Sequence, residues 1–446
     1  MTRLSTAIQK QRRARGGERI KHLNILVFPA GTEIAFEINF ALRNNKAVEL
    51  YGATSVPCHA SFVYKNCVDG LPNADDEGLI DALNKVIDEF GIDYVYPAHD
   101  TALLTLTRER KRVHAAVVTS PLETVEICRS KNKTYKYFRS AWYCPKIYLS
   151  ADEVKQYPVF IKPSVGQGAV GAERVVSERK LREALSSGTE YAICEYLSGQ
   201  EITVDCFTDR HGKLRYIGSR SRDRIRSGIA VRSRSLPLTE EVSSIAEDIN
   251  SKLTFNGAWF VQLKQNENGE YKLMEIAPRI AGTMGLTRNI GVNMPLLTLY
   301  NMEGEDVYIL SNGNDVLLDR AFVSRFEQGI EFDSVYVDYD DTLIVNGNVN
   351  PFLIAFLYQQ KNNGKKLHLL SKHKGDVSWG LDWYNISRYL FDSIVNVRSG
   401  ESKAKYIRGK AIFIDDSFAE RKEVHKKCNI PVFDIDMVES LFDWRN

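Results

Sequence analysis

A chain of 446 residues is long enough, at roughly 150 residues per domain, for two to four domains, and too long for a scaffold held together by disulfides. Hydrophobic residues make up 43% and charged residues 26%, which excludes a disordered or low-complexity chain. Lysine plus arginine (59) so nearly balance aspartate plus glutamate (57) that the surface as a whole is no trap for nucleic acid or anionic lipid, and small-molecule partners are expected.

The first twenty residues carry Arg12, Arg13, Arg15 and Arg19 and read as a flexible basic tail, 1–20. No apolar run approaches the ~20 residues that span a bilayer, and no apolar core of a secretory signal follows the start. The seven cysteines show no CxxC pair or repeated spacing, so a cytoplasmic, reducing compartment fits best.

From His22 the chain alternates apolar strands with helical stretches: LNILVF, a turn at Gly31, a helix through Asn39 and Leu42, VELYGA, then GLIDALNKVIDEFGI and DYVYPA. This rhythm predicts an open parallel sheet over 21–125. Over 126–328 it gives way to six-residue apolar or alternating segments, YPVFIKPS, EYAICEYL, EITVDCFT, KLRYIGS, AWFVQLKQ and YKLMEIAP, the signature of a mixed α+β region. A third βαβ series, SVYVDYDDTLI, KKLHLLS, SIVNV, KAIFIDD and IPVFDI, fills 329–446 as one compact α/β domain.

The middle region carries the first chemistry. FIKPSVGQGAVG puts Lys162 at a strand end ahead of Gly166, Gly168 and Gly171, where bare backbone N–H groups can close on phosphate oxygens beside an ammonium. Glu195 ends the next strand, Glu201 starts another, and Gln262 and Glu275 lie on two strands joined by an NENGE turn, oxygen donors suited to Mg²⁺. The stretch resembles the ATP-grasp superfamily, most nearly the ligase units of carbamoyl phosphate synthetase and related carboxylate-amine ligases. That resemblance implies a Rossmann-like pre-ATP-grasp domain followed by two α+β lobes that clasp ATP and Mg²⁺. It further implies Lys133 and Lys162 as nucleotide lysines, Gly166 and Gly168 over the phosphates, and Glu195, Tyr196 and Leu197 as the adenine hinge. Glu201 would reach the ribose or hinge polar network, Gln262 and Glu275 would hold Mg²⁺, and Arg279 would face the phosphates or an acyl phosphate. The family's acid-x-Asn-Pro-Arg pattern reads EIAPR here, so Ala277 removes one oxygen donor.

Between these motifs GSRSRDRIRSGIAVRSRS spaces Arg220, Arg222, Arg224 and Arg226 by two, which on one strand makes a rake for anions. Arg226 and Arg232 are the expected substrate or phosphate contacts, and Arg288 the expected partner of a substrate carboxylate.

In SVYVDYDDTLI, Asp338 and Asp340 follow an apolar strand at a spacing of two. Ser371 ends a later strand, ESKAKYI offers Lys403 or Lys405, and KAIFIDDS ends in Asp415 and Asp416. In this order the four segments resemble the haloacid dehalogenase superfamily. The resemblance implies Asp338 as a nucleophile that forms an aspartyl phosphate, Asp340 as general acid and base, and Ser371 and Lys403 against the phosphoryl group. Asp415 and Asp416, with Asp338 and Asp340, would bind Mg²⁺. The short spacers leave little or no room for a cap domain.

The expectation is a bifunctional enzyme: an ATP-dependent ligase joining a small-molecule carboxylate to an amine, either of which could be phosphorylated, coupled to a Mg²⁺-dependent phosphatase, with a homodimer as a candidate assembly. Two alternatives stay open at this point, a ligase with a non-catalytic docking module and a nucleotide-sensing phosphatase with an inactive ligase.

Overall fold

The computed structural model describes residues 22–445, and the chain divides into two units, one ending at Ala321 and one beginning at Phe322. The expected basic tail lies outside the described residues. No described helix is long and apolar enough to cross a membrane.

The first unit opens with five parallel strands, β1 (Leu23–Phe28), β2 (Val48–Ala53), β3 (Asn66–Val68), β4 (Tyr94–Pro97) and β5 (Ala116–Val117), in the order β3-β2-β1-β4-β5. β1 reads as a continuous apolar run because helices cover both faces, and Ile25, Leu26, Val27 and Phe28 are all fully buried. Strand order reverses between β1 and β4, so the segments leaving their carboxyl ends form a crevice. The two segments are tied together: the Thr32 hydroxyl donates to Ala98 O at 2.8 Å while accepting from Ala35 N, which caps helix Glu33–Leu42.

Two antiparallel sheets follow. A small one consists of β6 (Ile147–Tyr148), β7 (Val159–Pro163), β8 (Glu173–Val175) and β9 (Tyr191–Glu195), in the order β6-β9-β7-β8. A larger one contains β10 (Glu201–Thr208), β11 (Leu214–Ser221), β12 (Arg224–Arg226), β13 (Ile229–Leu236), β14 (Gly257–Gln265), β15 (Tyr271–Ala277) and β16 (Leu317–Asp319), with the path β12-β13-β11-β10-β14-β15 and β16 on β13. Ile25, Val27 and Ala35 share one core cluster with Phe207, Phe260 and Ala277, so the parallel sheet and the large antiparallel sheet are one packed body across residue 125. The small sheet has a cluster centred on Val159, Ile161, Val175, Leu181 and Ile193, while Ala192 and Ile147 pack into the core of the large sheet.

The second unit is a parallel sheet of β17 (Ser334–Val337), β20 (Lys366–Ser371), β21 (Ser393–Asn396), β22 (Ala411–Ile414) and β23 (Val432–Phe433), ordered β21-β20-β17-β22-β23. Between β17 and β20 lie only a small hairpin, β18 (Ile344–Val345) and β19 (Asn348–Val349), and helix Pro351–Asn362; helix Val377–Trp383 is the longest element between β20 and β21. No domain is inserted over this sheet edge among the described residues.

Two candidate active sites

In the first unit a cavity of about 490 Å³ is lined from both antiparallel sheets and from the crevice of the parallel sheet. Lys162, at the end of β7, is buried, donates to Met274 O at 2.9 Å and stands 5.0 Å from the Tyr135 ring centroid. Burial lowers its pKa, with Cys194 and Glu275 pulling the other way, and among the described residues no carboxylate forms an ion pair with it. Gln262 and Glu275 are directly paired across β14 and β15 and both line the cavity. Ala277 pairs with Phe260 on the same strands and is buried in the shared core.

Gly166 and Gly168 lie in the β7–β8 loop and line the cavity. Gly168 and Gly228 are in mutual contact: a Cβ on Gly228 would sit 2.4 Å from the carbonyl carbon of Gly168, and both residues have positive φ, +75° and +64°. Only glycine at 228 lets the β7–β8 loop of the small sheet meet the β12–β13 turn of the large one. Glu195 accepts from Lys146 N at 2.7 Å, and with Tyr196 and Leu197 it borders a recess shared with Lys162 and Met274. Glu201 lines the main cavity but is held by Arg222 Nε at 2.6 Å and Lys264 at 3.8 Å.

Several expected contacts are corrected. Lys133 does not face the cavity; it is exposed, 3.9 Å from Glu126, and Lys131 lines the cavity instead. Both follow the N-cap Ser130 on helix Lys131–Tyr137, where a separation of two residues, about 200° of rotation, puts them on opposite faces. The arginine rake is broken because β11 stops at Ser221 and β12 starts at Arg224. Arg220 and Arg222 line the cavity, whereas Arg226 is exposed at a hairpin end and Arg232 turns to Asp319 at 2.8 Å. Arg288 is engaged by Glu37 at 2.8 Å and is not among the cavity-lining residues. Arg279 does line the cavity, but both arms of its guanidinium close on Asp100.

Asp100 and its neighbour His99 were not singled out in the sequence. Their position directly after β4, at the crevice of a parallel sheet, is the signal that finds them.

In the second unit Lys403 Nζ lies 2.6 Å from Asp415 Oδ2 and 2.8 Å from Asp338 Oδ1. Lys405 is exposed and pairs with Glu401, so of the two lysines Lys403 is the one that meets Asp338 and Asp415. Burial alone would lower the Lys403 pKa, but Asp338 and Asp415 outweigh it and hold it up. Asp415 is pushed up to about 6, by burial and then by Asp338, with Lys403 opposing. The contact of Asp338 Oδ1 with Lys403 is off the line of a hydrogen bond, so this buried oxygen keeps a free lone pair. Asp338, Asp415 and Asp416 each bring an oxygen to within 4.8 Å of the others. Three carboxylates around one free buried oxygen fit a divalent cation. Asp416 is steadied by Thr342, whose hydroxyl donates to it at 3.0 Å.

Asp340 departs from expectation. Strand pairing stops at Val337 and Asp341 takes a left-handed conformation (φ +52°), so strand alternation does not extend to residue 340. Its carboxylate stands outside the acidic cluster, half-exposed, with its oxygens 2.9 and 3.0 Å from His373 Nδ1. Ser371 is buried, and its hydroxyl accepts from His373 N at 3.1 Å.

A family model described as "ATP-grasp in the biosynthetic pathway with Ter operon" matches residues 189–317. No curated protein sequence matches the chain. Among solved structures, Rhizobium etli pyruvate carboxylase superposes with a TM-score of 0.54 at 18% identity over 64% of this chain, which spans only 29% of that protein. The biotin carboxylase domain of Hydrogenobacter thermophilus 2-oxoglutarate carboxylase, a dimer holding MgADP, ADP and bicarbonate, gives 0.53 at 18% identity over 65% of this chain and 71% of that one. Staphylococcus aureus N5-carboxyaminoimidazole synthetase with ADP gives 0.53 at 14%, over 65% and 79%. The chain carries the ATP-grasp fold. In these ATP-grasp relatives, ADP in one case with magnesium is the bound nucleotide.

Proposed function

We propose that the first unit is an ATP-grasp ligase that joins a small-molecule carboxylate to an amine, and that the second is a haloacid dehalogenase-like phosphatase. The ligase reading is carried by the facing pair Gln262 and Glu275, set in one cavity with Lys162 and the β7–β8 glycine loop. The donor types and the loop suit ATP and Mg²⁺, the metal supplying charge neutralisation at the phosphates. A carboxylate is a poor electrophile because oxide is a poor leaving group. Transfer of the γ-phosphoryl group to it gives an acyl phosphate and ADP; the amine then displaces phosphate and an amide forms. Lys162, with no ion pair among the described residues, is suited to a nucleotide phosphate, and Tyr196 and Leu197 to the adenine ring. The segment 21–125 serves as the Rossmann-like pre-ATP-grasp domain.

The phosphatase reading is carried by Lys403 between Asp338 and Asp415. An Asp338 oxygen attacks phosphorus, the ester P–O bond breaks, and Asp340 gives its proton to the departing alkoxide. Asp340 then takes a proton from water, whose oxygen displaces Asp338 and frees phosphate. Ser371 donates to the phosphoryl oxygens, and Lys403 offsets the carboxylate charge. A cytoplasmic setting and a homodimer complete the reading.

The test is phosphorus NMR of the full chain with MgATP, pooled carboxylates, and plain or phosphorylated amines. Coupled action gives about two phosphates per ADP, falling to about one in Asp338→Asn, because each site releases its own phosphate. ADP formation that ignores both carboxylate and amine would overturn the ligase, and an equal phosphate count in both proteins would overturn the coupling.

A further inference from the structure

Four arginines line the cavity of the first unit: Arg220, Arg222, Arg279 and Arg320. Three are already matched. Arg220 holds Asp205 at 2.8 and 3.0 Å, Arg222 faces Glu201 at 2.6 Å, and Arg279 grips Asp100. Arg320 differs. Among the described residues no carboxylate lies within ion-pair distance of it, and its buried Nη1 has no hydrogen-bond partner. Its position is fixed by the main chain, since Arg320 N donates to Val231 O at 2.8 Å just past the β13–β16 pairing.

The surroundings do not compensate it. Glu37 and Glu33 are near enough to favour its charge, but Arg288 already occupies Glu37 and Glu33 is exposed, so burial prevails and lowers the pKa. Two further unsatisfied atoms line the same cavity: Arg222 Nε, which faces Glu201 without a hydrogen bond, and the hydroxyl of Thr203, wholly buried on β10 between Arg220 and Gln262. A half-buried guanidinium with an idle buried nitrogen is costly in the free protein and is relieved by a negatively charged guest that accepts from it.

We infer that Arg320 receives an anionic group of the ligase substrate, a carboxylate or a phosphate, and so decides which amines and carboxylates are accepted. The inference rests on the ligase reading. Arg320 stands by Glu33 and Glu37 of the first helix, whereas Lys162 shares its recess with Tyr196 and Leu197, so the anion it holds is a recognition handle separate from the nucleotide. A phosphate in that position would make the ligase product a phosphomonoester, the class of compound the second unit is proposed to hydrolyse.

The test is calorimetric titration of the full chain in the Asp338→Asn background, so that no ester is cleaved, with Mg²⁺ and a non-hydrolysable ATP analogue present. The probes are phosphoethanolamine, β-alanine and, as the uncharged-tail control, ethanolamine. At least one of the two anions should bind, and Arg320→Ala should weaken it by about tenfold or more, Arg320→Lys recovering part, with analogue affinity unchanged. Which anion responds tells phosphate from carboxylate. Equal affinity with and without Arg320, or no saturable binding of either anion, overturns the inference. Failure of the ATP analogue to bind would instead overturn the ligase reading. Should Arg320→Ala not fold, phenylglyoxal labelling of Arg320 in the unsubstituted protein, read by peptide mass, should slow when the binding anion is added; an unchanged rate counts against the site.

Discussion

Arg279 closes on Asp100 with two hydrogen bonds of 2.6 Å each, fastening the end of β15 to the first turn of helix Asp100–Arg108. Burial alone would raise the Asp100 pKa, but the guanidinium overcomes it and holds the value at about 2 against an ordinary 3.8. The folded state therefore binds fewer protons than the unfolded one in this window. The pair's contribution is fully present above pH 3.8 and is lost as the pH falls toward about 2. Chemical denaturation at neutral pH should show Asp100→Asn less stable by about 3 to 5 kcal/mol, since it strands a largely buried guanidinium. The variant should also lack the component of acid destabilisation that the parent shows in that window.

Restoring the missing oxygen donor at Ala277 should fail. The residue is 2% exposed, pairs with Phe260 in the shared core and borders a recess of only about 20 Å³ shared with Glu275 and Asp100, so an asparagine there overfills its site. Ala277→Asn should destabilise by about 1 to 3 kcal/mol in urea titrations without tightening Mg²⁺-dependent nucleotide binding. A gain in metal affinity would show that the side chain reaches the cavity.

Gly228→Ala and Gly212→Ala make a controlled pair. Both glycines have positive φ (+75° and +78°), so both substitutions carry backbone strain of about 1 kcal/mol. Only Gly228 touches the opposing loop, while nothing lies within 4 Å of a Cβ on Gly212. Nucleotide titration should show weakened binding for Gly228→Ala and unchanged binding for Gly212→Ala.

Lys403→Met leaves two adjacent buried carboxylates without their cation, and Lys405→Met removes an exposed pair with Glu401. Hydrolysis of p-nitrophenyl phosphate should vanish in the first and persist in the second. Melting temperature should fall only for Lys403→Met, exposed pairs contributing about 0 to 1 kcal/mol.

His373→Ala frees the Asp340 carboxylate from its neighbour. If the ring orients that group for proton transfer, kcat for p-nitrophenyl phosphate should fall about tenfold with KM little changed, and His373→Asn should restore part of it. A change in KM alone would speak for substrate contact.

The strands were legible because buried parallel strands are nearly all apolar and half-buried antiparallel ones alternate; the six quoted segments of 126–328 all fold as strands close to their expected bounds. The pairing of Gln262 with Glu275 followed from the turn between them. What failed was side-chain direction where regular geometry breaks. Two-residue spacing predicts a shared face only within a strand, and the chain leaves the strand at Arg222 and again at Asp338. Ion pairing across long sequence distance was equally hidden: nothing near Arg288 announces Glu37, 251 residues away. The domain boundary near 125 rested on a change of rhythm, which reports local structure and not the shared packing of Val27 with Phe260.

The core of the small sheet, distinct from the one shared by the parallel and large antiparallel sheets, sets a mechanical division within the first unit. Val159, Ile161, Val175 and Ile193 pack mainly on one another and on Leu181, while the large sheet is cemented to the parallel one. Motion of that module relative to the large sheet has to break specific ties, among them Ala192 in the large sheet's core and the Lys162 hydrogen bond to Met274 O beside Glu275. Amide exchange should run fastest across that module in the free protein and slow there on addition of nucleotide, making the width of the cleft a property of seven apolar side chains that do not line it.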